Sequence, residues 1–391
     1  MMRSNFYDVI IVGGAVMGSS VAYHLLISNP KLRLAVVERD PTYSQASSSL
    51  SLGGVRVQFS LKENIQISLY ALDCFAHFEE EMAVNGEKPF INFREEGYLF
   101  LIDSSGRALA EESLTVQKKL GGEVEWWSSE KIKREFSILS VNGLVGGTFG
   151  RKDGYLDPYA VMMAYRAKAV SLGAQYITDE VIELSKSGRQ ITGVQLASGL
   201  VLNAGIVVNA AGPWAAEIAR TAGVELPVVP IKRQVFALKP AITLVRPLPL
   251  IIAPSGLYFR SETGGLILVG RSMDEDKVGF DFTWEKERFT EILWPELARI
   301  VPAFDTLKLV RGWAGLYAQN QLDSNAILGP WPELKGLYLI NGFSGHGLQQ
   351  SPASGRYLAE LILGRTPFLD LGSFSPQRIL DNRPLSERGV V

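Results

Sequence analysis

One cysteine and three histidines are all that this chain of 391 residues offers for disulfide, thiolate or imidazole–metal chemistry. Cys74 alone permits no internal disulfide and no cysteine-built metal site, and its expected place is in helix packing. His24, His77 and His346 stand at no metal-ligand spacing to one another, so the reading assigns no metal site. A charge excess is missing too. The 39 basic and 41 acidic residues leave a formal net charge of −2, without long runs of one sign, which argues against a polyanion-binding surface and against nucleic acid as a partner. No apolar run approaches the ~18 residues that a membrane span needs. The first strand is entered within about seven residues, too soon for a signal peptide, so the expectation is a cytoplasmic protein. No repeat or low-complexity segment is visible.

What is present is enough apolar material, 47% of residues against 20% charged, for more than one core, and two domains are expected. The sharpest pattern lies in the first 38 residues. Asp8-Val-Ile-Ile-Val12 runs into Gly13-Gly14-Ala15-Val16-Met17-Gly18, then into a helical stripe of Val21, Ala22, Leu25 and Leu26, then into Leu34-Ala-Val-Val-Glu38. Four apolar β-formers suit a strand buried on both faces, and the glycines let the backbone turn tightly toward a pyrophosphate held at the next helix's positive end. Glu38 follows Gly18 by 38 − 18 = 20 positions, the spacing at which a second-strand carboxylate accepts hydrogen bonds from a ribose. The bland alternative is an ordinary strand-to-helix turn. Ala15 occupies the middle glycine position, which places a methyl group near the path of the pyrophosphate.

Two further blocks carry similar features. Gly205-Ile-Val-Val-Asn209-Ala-Ala-Gly212-Pro-Trp214 is an apolar strand that breaks at a glycine and opens a helix from Ala215 to Thr221. Gly336-Leu-Tyr-Leu-Ile-Asn341-Gly-Phe-Ser-Gly-His-Gly-Leu-Gln-Gln350 leads into a helix expected from about Ala353 to Leu363. The glycines of that block make a loop whose amides, with the helix N-terminus behind them, present positive partial charge to an anionic group. Because such features recur near the start, middle and end, the cofactor domain is expected to be discontinuous. Between its pieces, Gly97 to Ile102, Gly256 to Arg260 and Gly265 to Gly270 suit an antiparallel sheet that floors a substrate pocket. The prolines between Leu226 and Pro254 are expected to confine that stretch to edge strands and connections.

Several blocks in fixed order resemble the D-amino-acid oxidase superfamily of flavoproteins, in the branch of sarcosine oxidases and dimethylglycine dehydrogenases. They are the N-terminal fingerprint, Ser47-Ser48-Ser49 to Gly53-Gly54-Val-Arg56, Asp153-Gly154-Tyr155-Leu156-Asp157-Pro158, Val208 to Trp214, Trp313-Ala-Gly-Leu-Tyr317, Asp323 to Gly329, and Gly342-Phe-Ser-Gly-His-Gly347. The last two, with Gly347-Leu-Gln-Gln350, are most similar to the FAD-dependent oxidoreductase-domain proteins, whose mitochondrial member assists assembly of respiratory complex I. The resemblance implies an α/β fold, with a discontinuous Rossmann-type FAD-binding domain (1–85, 150–220 and 325–391) and an α+β substrate domain built on an antiparallel sheet (86–149 and 221–324). It implies FAD rather than NAD, bound without a covalent link, since Ser47 to Gly54 has no histidine and Tyr317-Ala318 no cysteine. Expected cofactor contacts are Gly13, Gly14, Ala15, Val16, Met17, Gly18, Glu38, Arg39, Ser47, Ser48, Val181, Ala211, Gly212, Trp214, Gly342, Ser344, Gly345, His346, Gly347 and Leu348.

Enzymes of this kind oxidise a C–N bond by passing hydride from carbon to flavin N5, and water hydrolyses the resulting imine. The protein must anchor a carboxylate, and an arginine fork suits that task. Tyr258 and Arg260, two apart on an expected strand, share a face, and Arg260 is the first anchor candidate, the alternative being an arginine turned to solvent. Arg56 falls in a glycine-rich turn where the resembling enzymes place an arginine beside the flavin; Tyr317 is expected over the flavin face and His346 beside it. Gln349 stands where sarcosine oxidases carry a lysine, and Phe59 near their second arginine, so the anchor is expected at Arg260 or Arg271. Trp126, Trp127 and Trp284 are expected to pack. The leading reading is oxidation of a secondary or tertiary amino acid such as sarcosine, dimethylglycine or iminodiacetate, with oxygen or an electron carrier as acceptor. The competing readings are an FAD-containing assembly or interaction protein with little turnover, and a dehydrogenase feeding a carrier or quinone.

Overall fold

Val9–Val12 is fully buried, as its four apolar β-formers require, and it lies inside a six-stranded sheet. The computed structural model describes residues 5–388. In that sheet the strands run in the order Ile327–Pro330, Leu337–Asn341, Val207–Asn209, Val9–Val12, Leu34–Glu38 and Gln175–Thr178, all parallel except the first pair. Alternate residues of Val9–Val12 feed two different cores. Val9 and Ile11 pack with Val21, Leu25 and Leu358 on one face, and Ile10 and Val12 with Val194, Leu196 and Ala219 on the other. Helices Val16–Ser28, Pro158–Ser171 and Gly347–Ile362 cover the first face, and a three-stranded sheet with helix Ala215–Thr221 covers the second.

The other large sheet has eight strands, in the order Leu307–Asn320, Val228–Pro240, Leu266–Gly270, Tyr258–Glu262, Leu250–Ile252, Tyr98–Asp103, Leu144–Gly150 and Val124–Trp127. It is mixed rather than purely antiparallel, because Leu250–Ile252 runs parallel to Tyr98–Asp103. Period-2 alternation divides its faces. Ile251, Phe259 and Phe236 enter a core closed by Phe289, Leu293 and Leu297, whereas Tyr98, Leu250, Ile252 and Tyr258 cluster on the opposite face. Trp127 packs against Phe149, and Trp284 meets Phe236 edge to face.

Two expectations are corrected here. The proline-rich stretch contains interior strands: Val228–Pro240 pairs on both sides, with Leu307–Asn320 and Leu266–Gly270. Its prolines avoid the two-sided part. Pro230 precedes the paired run Val235–Leu238, Pro240 ends the strand, and Pro249 and Pro254 flank Leu250–Ile252. The last large helix begins at Gly347, not Ala353, and carries Pro352 inside it. The carbonyl of Leu348, which a proline nitrogen cannot serve, accepts from the Ser351 hydroxyl at 2.8 Å instead. Among the described residues no helix is long and apolar enough to cross a membrane.

Candidate functional site

A cavity runs from the turn after Val9–Val12 to the clustered face of the eight-stranded sheet. At one end Gly13 has φ +94°, and a Cβ there would lie 2.6 Å from the Ala210 carbonyl oxygen, so only glycine makes this turn. Ala15 has φ −69°, an ordinary value, which is why alanine is accepted at the middle position. Helix Val16–Ser28 opens with no acidic residue in its first turn and no side-chain cap, leaving its amides directed at the cavity wall formed by Ala15, Val16 and Met17. Glu38 also lines the cavity. Its carboxylate accepts from the amides of Gly14 (2.8 Å) and Asp40 (2.9 Å), and burial raises its pKa in spite of those bonds.

Asn209 shapes the neighbouring turn: its Oδ1 accepts from the Ala211 amide at 3.1 Å and its Nδ2 donates to the Ala215 carbonyl at 2.9 Å. Ala211, Gly212 and Trp214 thereby face the cavity, as do Arg39 and Val181. The Arg39 guanidinium lies 3.9 Å from the Trp214 ring centroid and pairs with Glu180, while Phe280 stacks on the same indole at 5.0 Å.

At the other end a loop from Gly342 leads into the second helix N-terminus. The Ser344 amide donates to Ala318 at 3.1 Å, and the Asn320 amide donates to Ser344 Oγ at 3.0 Å, which ties the loop to strand Leu307–Asn320. Gly345 (φ +97°) packs so closely on Tyr317 that a Cβ would fall 2.4 Å from its ring. Helix Gly347–Ile362 again lacks a side-chain cap and a first-turn acid. Two uncapped, acid-free helix ends therefore converge on one cavity. Ser47 and Ser48 line it, and Ser47 Oγ donates to the Leu316 carbonyl at 2.6 Å.

Arg56, buried in this wall, donates to the Gln58 carbonyl, lies over the Phe59 ring at 3.9 Å and approaches His346 Nε2 at 3.3 Å. A guanidinium only donates, so that nitrogen accepts. Burial first, then the Arg56 charge, hold the His346 pKa down to about 3, and the ring is neutral at physiological pH. Gln349 accepts from the Arg56 amide through Oε1 at 2.7 Å, while its Nε2, also buried, has no hydrogen-bond partner and sits in the cavity lining. Behind Arg56, Asp153 accepts from the Val57 amide and Gln58 Nε2, and burial pushes its pKa up to about 6.

On the sheet side stand Tyr98, Val235, Leu250, Ile252, Tyr258 and Tyr317, and the pKa of each of the three tyrosines is raised by burial, so all keep their protons. The charged residue there is Arg233, which the sequence reading missed. It pairs with Asp276, which also holds Arg288, and its guanidinium lies 5.1 Å from the Tyr317 ring centroid. Alternation was the available signal: Lys232 and Gln234 turn to Asp281 and Glu285, so Arg233 and Val235 face the other way, into the cavity.

Arg260 is a correction. It shares a strand with Tyr258 but does not line the cavity. Its Nε and Nη2 donate to the Leu52 carbonyl (3.1 and 2.8 Å), and Nη1 donates to Ser261 and pairs with Glu262 at 2.9 Å. It pins the cavity-lining loop rather than facing a ligand. Arg271 is likewise held, by Glu296 at 3.0 Å. Gly14, Gly18 and Gly342 stand outside the lining: Gly14 holds Glu38, a Cβ on Gly18 would lie 1.9 Å from the Gly13 oxygen, and one on Gly342 would lie 3.1 Å from Asn320 Cβ.

Glycine-only turning, paired helix N-termini, a second-strand carboxylate and a tyrosine-lined extension between two sheets suit an oxidoreductase that binds a dinucleotide. Residues 8–361 match the family model described as FAD dependent oxidoreductase (DAO); the chain belongs to that family, and FAD is its cofactor. It is 38% identical over 422 aligned positions to the FAD-dependent oxidoreductase domain-containing protein 1 of Xenopus laevis, covering 98% of this chain and 85% of that one. Among solved structures, the L-proline dehydrogenase of P. horikoshii superposes with a TM-score of 0.87 at 27% identity, covering 97% of this chain and 99% of its own. The glycine oxidase of Geobacillus kaustophilus gives 0.83 at 25%, covering 95% and 98%.

Proposed function

We propose that this FAD-dependent oxidoreductase oxidises the C–N bond of a secondary or tertiary amino acid, an N-substituted glycine such as sarcosine, dimethylglycine or iminodiacetate. The observation that carries the reading is Arg233, a guanidinium on the sheet side of the cavity, set beside Tyr258 and Tyr317. It is a carboxylate anchor in the place left by Arg260, and Asp276, itself paired with Arg288, holds its guanidinium on one side. Two solved relatives are an L-proline dehydrogenase and a glycine oxidase, which favours an amino acid here too.

In this reading Gly13, Ala15, Val16, Met17, Glu38, Arg39, Val181, Ala211, Gly212 and Trp214 hold the adenosine diphosphate half, with Gly14 and Gly18 shaping the turn. Ser47, Ser48, Arg56, Ser344, Gly345, His346, Gly347, Leu348 and Gln349 surround the ring half, with Gly342 positioning its loop. Attachment is non-covalent. Bound FAD supplies the hydride acceptor. The chain's own part is to bind the carboxylate through Arg233, to keep Tyr258 and Tyr317 as neutral hydrogen-bonding phenols, and to offer the Gln349 amide as a donor. The strands segregate as the two-domain division (1–85, 150–220, 325–391 against 86–149, 221–324) would have them, which supports that division.

The test is an anaerobic absorbance titration of the flavoprotein with sarcosine, dimethylglycine, iminodiacetate and proline, followed by admission of air. Bleaching by one of them is the expected result, and recolouring in air separates oxygen from a carrier as acceptor. A spectrum unchanged by the whole panel overturns the reading in favour of an interaction protein.

A further inference from the structure

Residues 378–388 return to the back of the cavity wall. Arg378 in the short helix Gln377–Leu380 donates to Ala326 (2.8 Å) and pairs with Asp323, whose other oxygen accepts from the Leu385 amide at 2.9 Å. Two residues on, the Glu387 carboxylate accepts from the Ser60 amide (2.8 Å), Ser60 Oγ (2.7 Å), the Leu61 amide (3.0 Å) and Asn64 Nδ2 (2.9 Å). It thus serves helix Lys62–Glu81, whose own N-cap, Leu61, has no side-chain acceptor. Capping requires one acceptor and no charge; this carboxylate does more. Asn64 passes the contact on, since its Oδ1 accepts from Gln350 Nε2 at 3.0 Å and the Gln350 amide donates to the His346 carbonyl at 3.2 Å. Ser60 follows Phe59, whose ring lies under Arg56 and 5.1 Å from the imidazole of His346.

We propose that Glu387 is a positioning residue for the cavity: a carboxylate delivered by the C-terminal segment that sets the orientation and offsets the charge of the Arg56–His346–Gln349 wall. Its negative charge acts on both Arg56 and His346. A cation in that wall favours any extra negative charge in the cavity, whether on a bound carboxylate or on reduced flavin, and a partly buried anion behind it weakens that field. The inference rests on FAD occupying this cavity.

The holoprotein is compared with Glu387→Gln, Ser60→Ala and Asn64→Asp by flavin midpoint potential and by acetate titration of the flavin spectrum. Glu387→Gln raises the potential and tightens acetate by roughly tenfold. Ser60→Ala, which loses hydrogen bonds but no charge, lowers the melting temperature and leaves both readouts in place. Asn64→Asp, which adds a carboxylate to the same network, moves both the other way and serves if Glu387→Gln does not fold. Unchanged potential and acetate affinity in either folded charge variant overturn the proposal and leave Glu387 a helix cap. Gly13→Ala, run alongside, separates the two readings: if it retains flavin, the cavity is not the flavin site.

Discussion

Two arginines of one sheet, a strand apart, show how far a single residue's role depends on its partners. Arg260 and Arg233 are both largely buried, yet Arg260 has its donors taken by Leu52, Ser261 and Glu262, whereas Arg233 is held at one side by Asp276 and left facing the cavity. The face of Arg260 was legible from its spacing to Tyr258; the carbonyls and carboxylate that bend its side chain away were not, because Leu52 lies 208 positions distant. Arg233→Met is expected to lower kcat/KM for an amino acid about a hundredfold, mostly through KM, as an anchor lost in ground and transition state alike. Arg260→Met is expected to leave KM within about twofold and to lower stability by about 3 kcal/mol, because Glu262 and a loop carbonyl lose their partner. Steady-state kinetics and denaturant melts on the two variants check both outcomes; a kinetic defect confined to Arg260→Met would reverse the assignment.

At the scale of elements, the opening strand–turn–helix was the most legible part of the molecule, since glycine spacing, apolar run and acid all lie within 38 residues. What the spacing did not convey is that the glycines act differently. Gly13 needs its positive φ, Gly18 needs its bare Cα beside the Gly13 oxygen, and position 15 needs neither. Gly13→Ala is therefore expected to release FAD, while Ala15→Gly keeps the affinity within about threefold, as fluorescence of the released flavin reports. The helix after the second glycine loop starts six residues before the expected Ala353, at Gly347, because the Ser351 hydroxyl occupies the carbonyl that Pro352 cannot serve. The prolines of strand Val228–Pro240 sit only where one neighbour pairs, a register that no single sequence reveals.

For the molecule as a whole, buried titratable groups set the response to acid. His24 and His346 are held to about 3 against an ordinary 6.5, by burial first and then by Arg356 and Arg56. Unfolding lets both take up a proton, so their contribution is full above 6.5 and is lost as pH falls from there toward 3. Asp153 acts in the opposite sense: raised from 3.8 to about 6, it stabilises the fold below 3.8 and loses that contribution as pH rises to 6. Between about pH 4 and 6 these three groups leave one net proton taken up on unfolding, two less one, or about 1.4 kcal/mol of stability lost per unit of acidification. Asp153→Asn removes the offset and is expected to steepen the measured slope in urea melts by about 1.4 kcal/mol per unit. A slope unaltered by the substitution would place the Asp153 pKa near its ordinary value.

The central sheet joins Val9–Val12 to Val207–Asn209 and, beyond it, to Leu337–Asn341, and the cavity draws its walls from all three neighbourhoods. A ribosome makes these pieces in order, so the nascent chain carries its first glycine turn, nucleotide-ready in sequence, through most of its synthesis without the neighbours that shape it. Loops of such length close slowly, and the exposed edge of an unfinished parallel sheet is a hazard to other chains. If FAD occupies this cavity, cofactor capture comes last, and a fragment ending before Leu337 is expected to be colourless.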